Sequence, residues 1–446
     1  MAATLIRSAR HGLHLVLVVG ALFAPSLAAQ GADVKLLRVG TSGDYAPFST
    51  TQEGTTSYRG FDIAVAEAFA HDRGYTIEWV GFRWPTLNAD LAAGRFDVAM
   101  GGITMRPERS VLGRFSVPVM TSGAVLIYRV AALDKSSAAD APESLSRFDR
   151  VGLRIAVNQG GHLEQVTRAH FLQATVNALS DNAGVRQALV AGTADAVVTD
   201  SLEAPHWLKT LTGVATFGPF TEDRKAYWWA SNQDAHAREL DSWLLAREGD
   251  GTLARLRYGA TGSSTLPATA DPLHALLAAI DERLALMPWV AQSKRAGGIA
   301  IEDLAQEERV LAASWQGVER AAREAELEPP GPAQVAAFYR SLIEAAKRVQ
   351  RLAVEQSGIS HAQARDLQEV LRPALLRIDE RMAGLIVALH QQPAAATLAA
   401  ETAQALRPYP LQQDSLTAIN AALSAMTRSA PSTSAQNLVR NPDVMR

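Results

Sequence analysis

Residues 84–109 read WPTLNADLAAGRFDVAMGGITMRPER. From Trp84 to Ala93 the pattern is helical, Gly94 interrupts it, and Asp97–Met100 is a short strand closed by Gly101 and Gly102. A helix leading straight into an apolar strand is part of a layered α/β unit, and the same alternation extends on both sides. Strand-like runs lie at Leu36–Val39, Ile77–Val80, Ala124–Tyr128, Arg154–Val157 and Ala196–Val198. Helix-like runs lie between them at Asp62–Asp72, Gly161–Leu172 and Gly184–Ala191. Residues 31–262 are therefore expected to form α/β layers with largely parallel sheets.

The pattern then changes. Residues 263–272 belong to a stretch rich in Gly, Ser, Thr, Ala and Pro, which reads as a flexible linker. Beyond Leu273 the strand signals stop and long Ala/Leu/Glu/Arg stretches take over, with apolar residues at helical spacing as in Leu276, Ile280, Leu284 and Met287. Residues 273–428 are expected to be all-α, in segments 273–295, 302–325, 332–356, 361–391, 395–406 and 410–426. A faint echo links Ile280-Asp281-Glu282-Arg283-Leu284 to Ile378-Asp379-Glu380-Arg381-Met382. Duplication and helical composition explain it about equally well. Residues 429–446 read as a frayed tail.

The N-terminus carries Arg7 and Arg10, an apolar run from Leu13 to Phe23, then Pro25 and small residues to Ala29. That run is short of the ~20 residues needed to span a bilayer. Residues 1–30 therefore read as a secretory signal peptide, and the mature chain as periplasmic, with no membrane segment. The 446 residues fit two or three domains. With 48% hydrophobic and 20% charged residues, the balance is globular. A net charge of -3 gives no electrostatic case for nucleic acid. With no cysteine, disulfides, thiolate metal sites and cysteine nucleophiles are excluded.

The text Val39-Gly40-Thr41-Ser42-Gly43-Asp44-Tyr45-Ala46-Pro47-Phe48, then Gly60-Phe61-Asp62-Ile63, Leu91 to Asp97 and Gly101 to Arg109, resembles the periplasmic amino-acid-binding proteins. Their fold has two α/β lobes with the ligand between them. The resemblance implies that Thr104 and Arg109 hold a ligand carboxylate; a guanidinium suits that task because it binds bidentately. It also implies that the turn Asn158-Gln159-Gly160-Gly161-His162 presents helix amides to the ligand, with His162 where a Ser or Thr is usual. Within this family, Trp84-Pro85-Thr86-Leu87, Asp181-Asn182, Val198 to Ala204 and Lys225-Ala226-Tyr227 look like the cyclohexadienyl dehydratases. Those enzymes act on prephenate and arogenate.

Such a reaction expels hydroxide and carbon dioxide together, so it asks for a proton donor and cations for two carboxylates, and for no metal or cofactor. By resemblance Glu203 is the general acid, Arg109 and Lys225 are the cations, and Trp84 walls the ring pocket. Asp200 lies three residues before Glu203, a spacing at which the carboxyls can face each other and separate their pKa values.

The all-α segment resembles the exported chorismate mutases over about 273–385. The matching text is Ala279 to Pro288, Lys294, Ile301-Glu302-Asp303, Ile343 to Gln350, and Leu371-Arg372-Pro373. Their reaction is an intramolecular rearrangement, in which the protein holds a compact dianion and stabilises charge on an ether oxygen. Arg283 and Lys294, eleven residues apart, can share a helix face unless Pro288 kinks it. The resemblance implies that Arg283 and Arg372 grip carboxylates, Lys294 and Gln350 donate to the ether oxygen, and Asp303 and Glu307 meet the ring hydroxyl. Gln306 stands where that family has arginine, and Ala346 where it has Ser or Thr, leaving Arg295 and Arg309 as candidate replacements.

The expected function is a bifunctional exported enzyme taking chorismate to prephenate and prephenate to phenylpyruvate. Arogenate is a further candidate substrate, and the oligomeric state stays open. The alternatives are an amino-acid receptor with a helical partner domain, and a dehydratase with a vestigial mutase.

Overall fold

The computed structural model describes residues 35–51, 57–132, 144–356 and 364–428. The expected signal peptide at 1–30 and tail at 429–446 lie outside these residues.

Two five-stranded sheets build the first domain. In the first lobe the order is Tyr75–Gly81, Lys35–Thr41, Val98–Ala99, Trp228–Ala230, Gly113–Phe115; in the second it is Thr175–Leu179, Arg154–Asn158, Ala196–Asp200, Ala124–Arg129, Val214–Phe217. The first three strands of each sheet are parallel, the fourth runs antiparallel to them, and the fifth is antiparallel to the fourth and so points the same way as the first three. The sheets are thus more mixed than the α/β alternation predicts. The physical reason is that the chain crosses between lobes twice, and Trp228–Ala230 returns into the first sheet from the opposite direction. A two-stranded hinge, Met120–Ser122 against Asp223–Lys225, carries both crossings. Ala196–Asp200 is buried at every residue, as expected of a strand covered on both faces. Asp181 caps the helix Asn182–Ala191 by accepting from the Gly184 amide, and left-handed Gly192 closes it.

The C-terminal region is helical: Pro272–Ala285, Met287–Ala296, Leu304–Ala325, Pro332–Gln356, Arg372–His390, Leu398–Ala405 and Gln413–Met426. The single segment expected over 273–295 is two helices. Pro288, in the first turn of the second, lacks the N–H that would continue the first. Arg283 and Lys294 therefore sit on different helices, and the eleven-residue spacing does not place them on one face.

The two echoing segments pack against each other. Arg283 donates to Asp379 (2.9 Å), and Arg381 pairs with Glu282 in return. Composition alone does not account for that reciprocity.

The connection between the domains is pinned rather than flexible. Thr269 and Ala270 are 2% and 0% exposed, and their amides donate to Glu248, itself paired with buried Arg257. Asp271 then caps the helix Pro272–Ala285. The helical domain also docks directly on the first lobe and the hinge. Arg381 donates to the Phe115 carbonyl (2.6 Å), Arg114 meets Glu380 (3.4 Å), Arg377 donates to the Ser110 carbonyl (3.2 Å), and Arg224 pairs with Asp281. One continuous apolar cluster includes Phe115 and Trp228 of the lobe and Leu276 and Ile280 of the helices. The Gly/Ser/Thr-rich composition misled because hydrogen bonds to distant residues, invisible in the segment itself, order it.

Candidate active sites

The interlobe cleft is shut. Gly160, with φ 76°, lies so close to the other lobe that a Cβ there would sit 2.5 Å from the Pro85 Cα. Asn182 donates across the cleft to the Asp44 carbonyl (3.1 Å), and Arg106 to Gln165 (3.1 Å). The space left is about 30 Å³, lined by Tyr45, Trp84, Thr104, Arg109, Gly161 and His162 among others. Any substrate therefore enters by separation of the lobes.

Arg109 ends the short helix Pro107–Ser110 and is 1% exposed. One terminal nitrogen donates to the Thr104 carbonyl (3.0 Å), while Nε and Nη2 have no hydrogen-bond partner. Burial pushes its pKa well down. A buried guanidinium with two free donors is costly unless an anion completes it, and a carboxylate matches that fork.

Lys225 differs from the sequence expectation. Its ammonium reaches Thr104 Oγ1 (2.8 Å), Asp200 Oδ2 (2.9 Å) and the Tyr45 hydroxyl (3.3 Å). Three donors meet three partners, so a carboxylate reaches it only by displacing one. Asp200 likewise turns inward, accepting from Ser122 (2.8 Å) and the Leu202 amide (2.8 Å).

Glu203 is 1% exposed. The Thr199 hydroxyl bonds its Oε2 (2.6 Å) and Asn182 donates to Oε1 (3.3 Å). Burial pushes its pKa well up; Thr199 pulls the other way, and the charges of Asp200 and Asp44 push it further. Burial thus favours the protonated form of this carboxyl. The Glu203 amide donates to the Asp200 carbonyl (3.0 Å), but the two carboxyls bond other groups, and Glu203 does not line the closed cavity; Asn182 does.

Trp84 is 8% exposed, donates to Asp44 (3.1 Å) and meets the Tyr45 and Phe82 rings edge-on. Gly161 caps the helix His162–His170 at its N-terminus. His162 points into the cleft, its Nε2 on Asp223 (2.9 Å) and its buried Nδ1 without a partner. Burial would raise the Asp223 pKa, but the His162 hydrogen bond and nearby charges outweigh it and leave it low.

Sequence reasoning assigned no role to Asp44, Tyr45, Asn158, Asn182, Thr199 or Asp223. Asn158 carried a usable signal: it ends a parallel strand just before the glycine turn, where ligands meet such sheets. Its Oδ1 is buried and unpartnered, and its amide donates to Asn182 (2.8 Å).

In the helical domain Lys294 donates to the Ile301 carbonyl (2.8 Å). Burial lowers its pKa, Asp303 and Glu307 raise it, and Arg372 lowers it, so four of the sequence-selected residues share one neighbourhood. Gln350 is 5% exposed; its amide has only the Met287 sulfur (3.6 Å) and its carbonyl oxygen has no partner. Arg283 sits apart, bonded to Asp379. Asp303 accepts from the Gln306 amide (3.0 Å), which is a helix cap, and Arg372 donates to Gln368 (2.7 Å). Glu307 meets Lys347 (3.3 Å), which also pairs with Glu344 (2.6 Å) and Glu302 (3.5 Å). The candidate replacements are occupied: Arg309 bonds Gln306 (2.9 Å) and Arg295 the Val354 carbonyl (3.4 Å).

Residues 37–263 match the bacterial extracellular solute-binding proteins, family 3. The chain belongs to this family. Residues 274–351 match chorismate mutase type II, so the protein joins a solute-binding domain to a chorismate mutase domain. The first domain is homologous to a cyclohexadienyl dehydratase of Pseudomonas aeruginosa, 34% identical over 257 residues, covering 55% of this chain and 92% of that protein. A putative amino-acid ABC transporter-binding protein of Vibrio harveyi is 26% identical, covering 49% of this chain and 86% of its own. Among solved structures, an ancestral amino-acid-binding protein described as a precursor of cyclohexadienyl dehydratase shares 31% identity, with a TM-score of 0.46, over 51% of this chain and 95% of that one. No helix among the described residues is long and apolar enough to cross a membrane.

Proposed function

We propose that the protein is an exported, periplasmic, bifunctional enzyme of phenylalanine synthesis, converting chorismate to prephenate and prephenate to phenylpyruvate. The observation that carries the second step is the buried Glu203, whose burial favours its acid form, one residue away from a cleft whose guanidinium, Arg109, keeps two nitrogens without a partner.

In that step the carboxylate on the ring carbon leaves as carbon dioxide. Its bonding pair enters the ring, the ring hydroxyl departs, and the Glu203 proton converts it to water. The ring becomes aromatic, and the Glu203 carboxylate regains a proton from solvent. Arg109 holds the second carboxylate, and Trp84 and Tyr45 flank the ring. Asn182 joins the Glu203 carboxyl to the cavity, and its amide is where lobe movement brings acid and substrate together. The same geometry accepts arogenate, which differs at the side-chain amine.

For the mutase step Lys294 and Gln350 supply donors to the ether oxygen. Gln350 suits this because its N–H groups are held only by a thioether, a weak acceptor. Arg283 and Arg372 flank the dianion, and Arg283 must exchange Asp379 for it. That exchange, together with Gln306 and Ala346, favours a slow mutase as the second reading.

Incubating the mature protein with chorismate alone tests both readings. Phenylpyruvate establishes the two-step reading. Unchanged chorismate with cleavage of added prephenate leaves only the dehydratase, and both substrates unchanged leave a receptor.

A further inference from the structure

The roomiest space near the cleft lies outside it. A cavity of about 600 Å³ opens at the seam between hinge and helical domain, against about 30 Å³ in the cleft itself. Its size falls within the range of small-molecule sites. Glu222, Asp223 and Arg224 of the hinge segment line one wall, and His274 and Glu401 the other.

Most of these charges are already spent. Arg224 pairs with Asp281, Glu222 with Arg407, and Asp223 with His162. Two are not. His274 commits Nδ1 to Asp271 (2.6 Å) and leaves Nε2 toward Glu401. The Nε2 to Glu401 Oε2 distance is 3.8 Å, too long for a hydrogen bond, and Glu401 Oε2 has no other partner. The Thr269 hydroxyl, on a residue 2% exposed, also lines this cavity without a partner. Pro219, Leu277 and Ala400 supply apolar wall.

An acceptor and a donor held just too far apart to bond each other suit a molecule carrying both an ammonium and a carboxylate. The three lining carboxylates against one guanidinium and one imidazole disfavour the dianionic substrates proposed for the catalytic sites. The geometry points to a second ligand site at the domain seam, for an α-amino acid with an apolar side chain, its ammonium on Glu401 and its carboxylate on His274. Asp223 joins this site to the cleft: it lines the seam cavity, and its Oδ1 bonds His162, which lines the cleft. Occupancy of one is thus felt at the other.

The binding arm of the test does not depend on the proposed activities. Calorimetry on the full mature chain uses L-phenylalanine and, as the probe with a keto group in place of the ammonium, phenylpyruvate. Arg109→Ala removes the cleft's anion clamp, so binding that survives it belongs elsewhere. The expected result is that L-phenylalanine binds both wild type and Arg109→Ala, and that in Arg109→Ala, where the cleft clamp is gone, it binds more tightly than phenylpyruvate. Glu401→Gln weakens it about tenfold, the scale of one charge-assisted hydrogen bond. Ala400→Trp, which fills the cavity by a different route, also weakens it. In the Arg109→Ala protein, the His162 ring resonances shift on adding L-phenylalanine. Loss of binding in Arg109→Ala with full binding in Glu401→Gln would put the amino acid in the cleft and overturn the proposal. So would equal affinity of Arg109→Ala for the two probes, or no heat at about 10 mM ligand. Unmoved His162 resonances with binding intact would overturn the link between the sites.

Discussion

Under the proposed function the cleft and the helical-domain cluster face the same task, holding a small dianion, and their side chains are arranged differently for it. In the cleft, protein groups are buried and left incomplete: two nitrogens of Arg109, Nδ1 of His162 and Oδ1 of Asn158 have no partner. In the helical cluster every named cation already has a protein partner: Arg283 has Asp379, Lys347 has Glu302, Glu307 and Glu344, Lys294 has the Ile301 carbonyl and Arg372 has Gln368. Unmatched buried groups cost stability and make room for a ligand to restore it. Self-paired groups are stable without ligand and must be pulled apart to bind one. The cleft is therefore organised for binding, and the helical site carries a rearrangement cost.

Several substitutions probe that contrast. The largest effect is expected at Glu203→Gln, which keeps the hydrogen-bonding shape and removes the proton. Prephenate turnover should fall by about 10²–10⁴, with chorismate consumption unchanged and prephenate accumulating; a wild-type rate would remove Glu203 from the mechanism. In wild type the raised Glu203 pKa extends the acid form above the ordinary carboxylate range, so the dehydratase rate should fall as pH rises through the Glu203 titration, a fall absent from Glu203→Gln. Arg109→Ala should follow, lowering kcat/KM for prephenate by ~10²-fold or more as a buried charged pair is lost. Arg109→Lys should not restore it, since a point charge cannot replace the fork.

Gln306→Arg sharpens the other half. A cation restored beside the mutase site should raise its kcat/KM by about one decade, the worth of a charged hydrogen bond. No gain, measured by chorismate loss, would show that Arg283 and Lys294 already suffice.

The smallest catalytic effect and a clear stability effect belong to Asp62. Burial raises its pKa to about 7, while the Gly102 amide and Tyr227 hydroxyl oppose that. Its pKa in the unfolded chain is ~3.9, so the folded state binds the extra proton between about pH 4 and 7. Stability therefore falls as pH rises through that window, by up to about 1.4 kcal/mol per pH unit, and levels off above it. Asp62→Asn should flatten this slope in denaturant titrations taken at several pH values; an unchanged slope would assign it to other groups.

Residues 35–262 were legible where a physical rule acts locally. The apolar run Ala196–Val198 announces a covered strand, whereas Pro288, read as a kink within one helix over 273–295, opens a second helix. The general-acid candidate Glu203 rested on resemblance to the cyclohexadienyl dehydratases, and its burial, which shifts its pKa, depends on residues distant in sequence. What stayed hidden depends on partners far along the chain. Asp223 gains meaning only beside His162, sixty-one residues away. Lys225 looked like a free cation because nothing near it in sequence shows that Asp200 and Tyr45 occupy its donors. The linker and the Ile280/Ile378 echo failed in the same way: Glu248 orders the first, and helix packing pairs the second.

Glu248 has a wider consequence. By anchoring Thr269 and Ala270 it makes the separation of the two catalytic centres a constant of the molecule rather than an average over a wandering tether. Under the proposed two-step function, an intermediate released from the helices would begin its search at the same distance every time, whatever length the connecting residues have. Capture then competes with escape on diffusion alone, and the fraction passed on is set by how often the lobes stand open, not by how long the tether is.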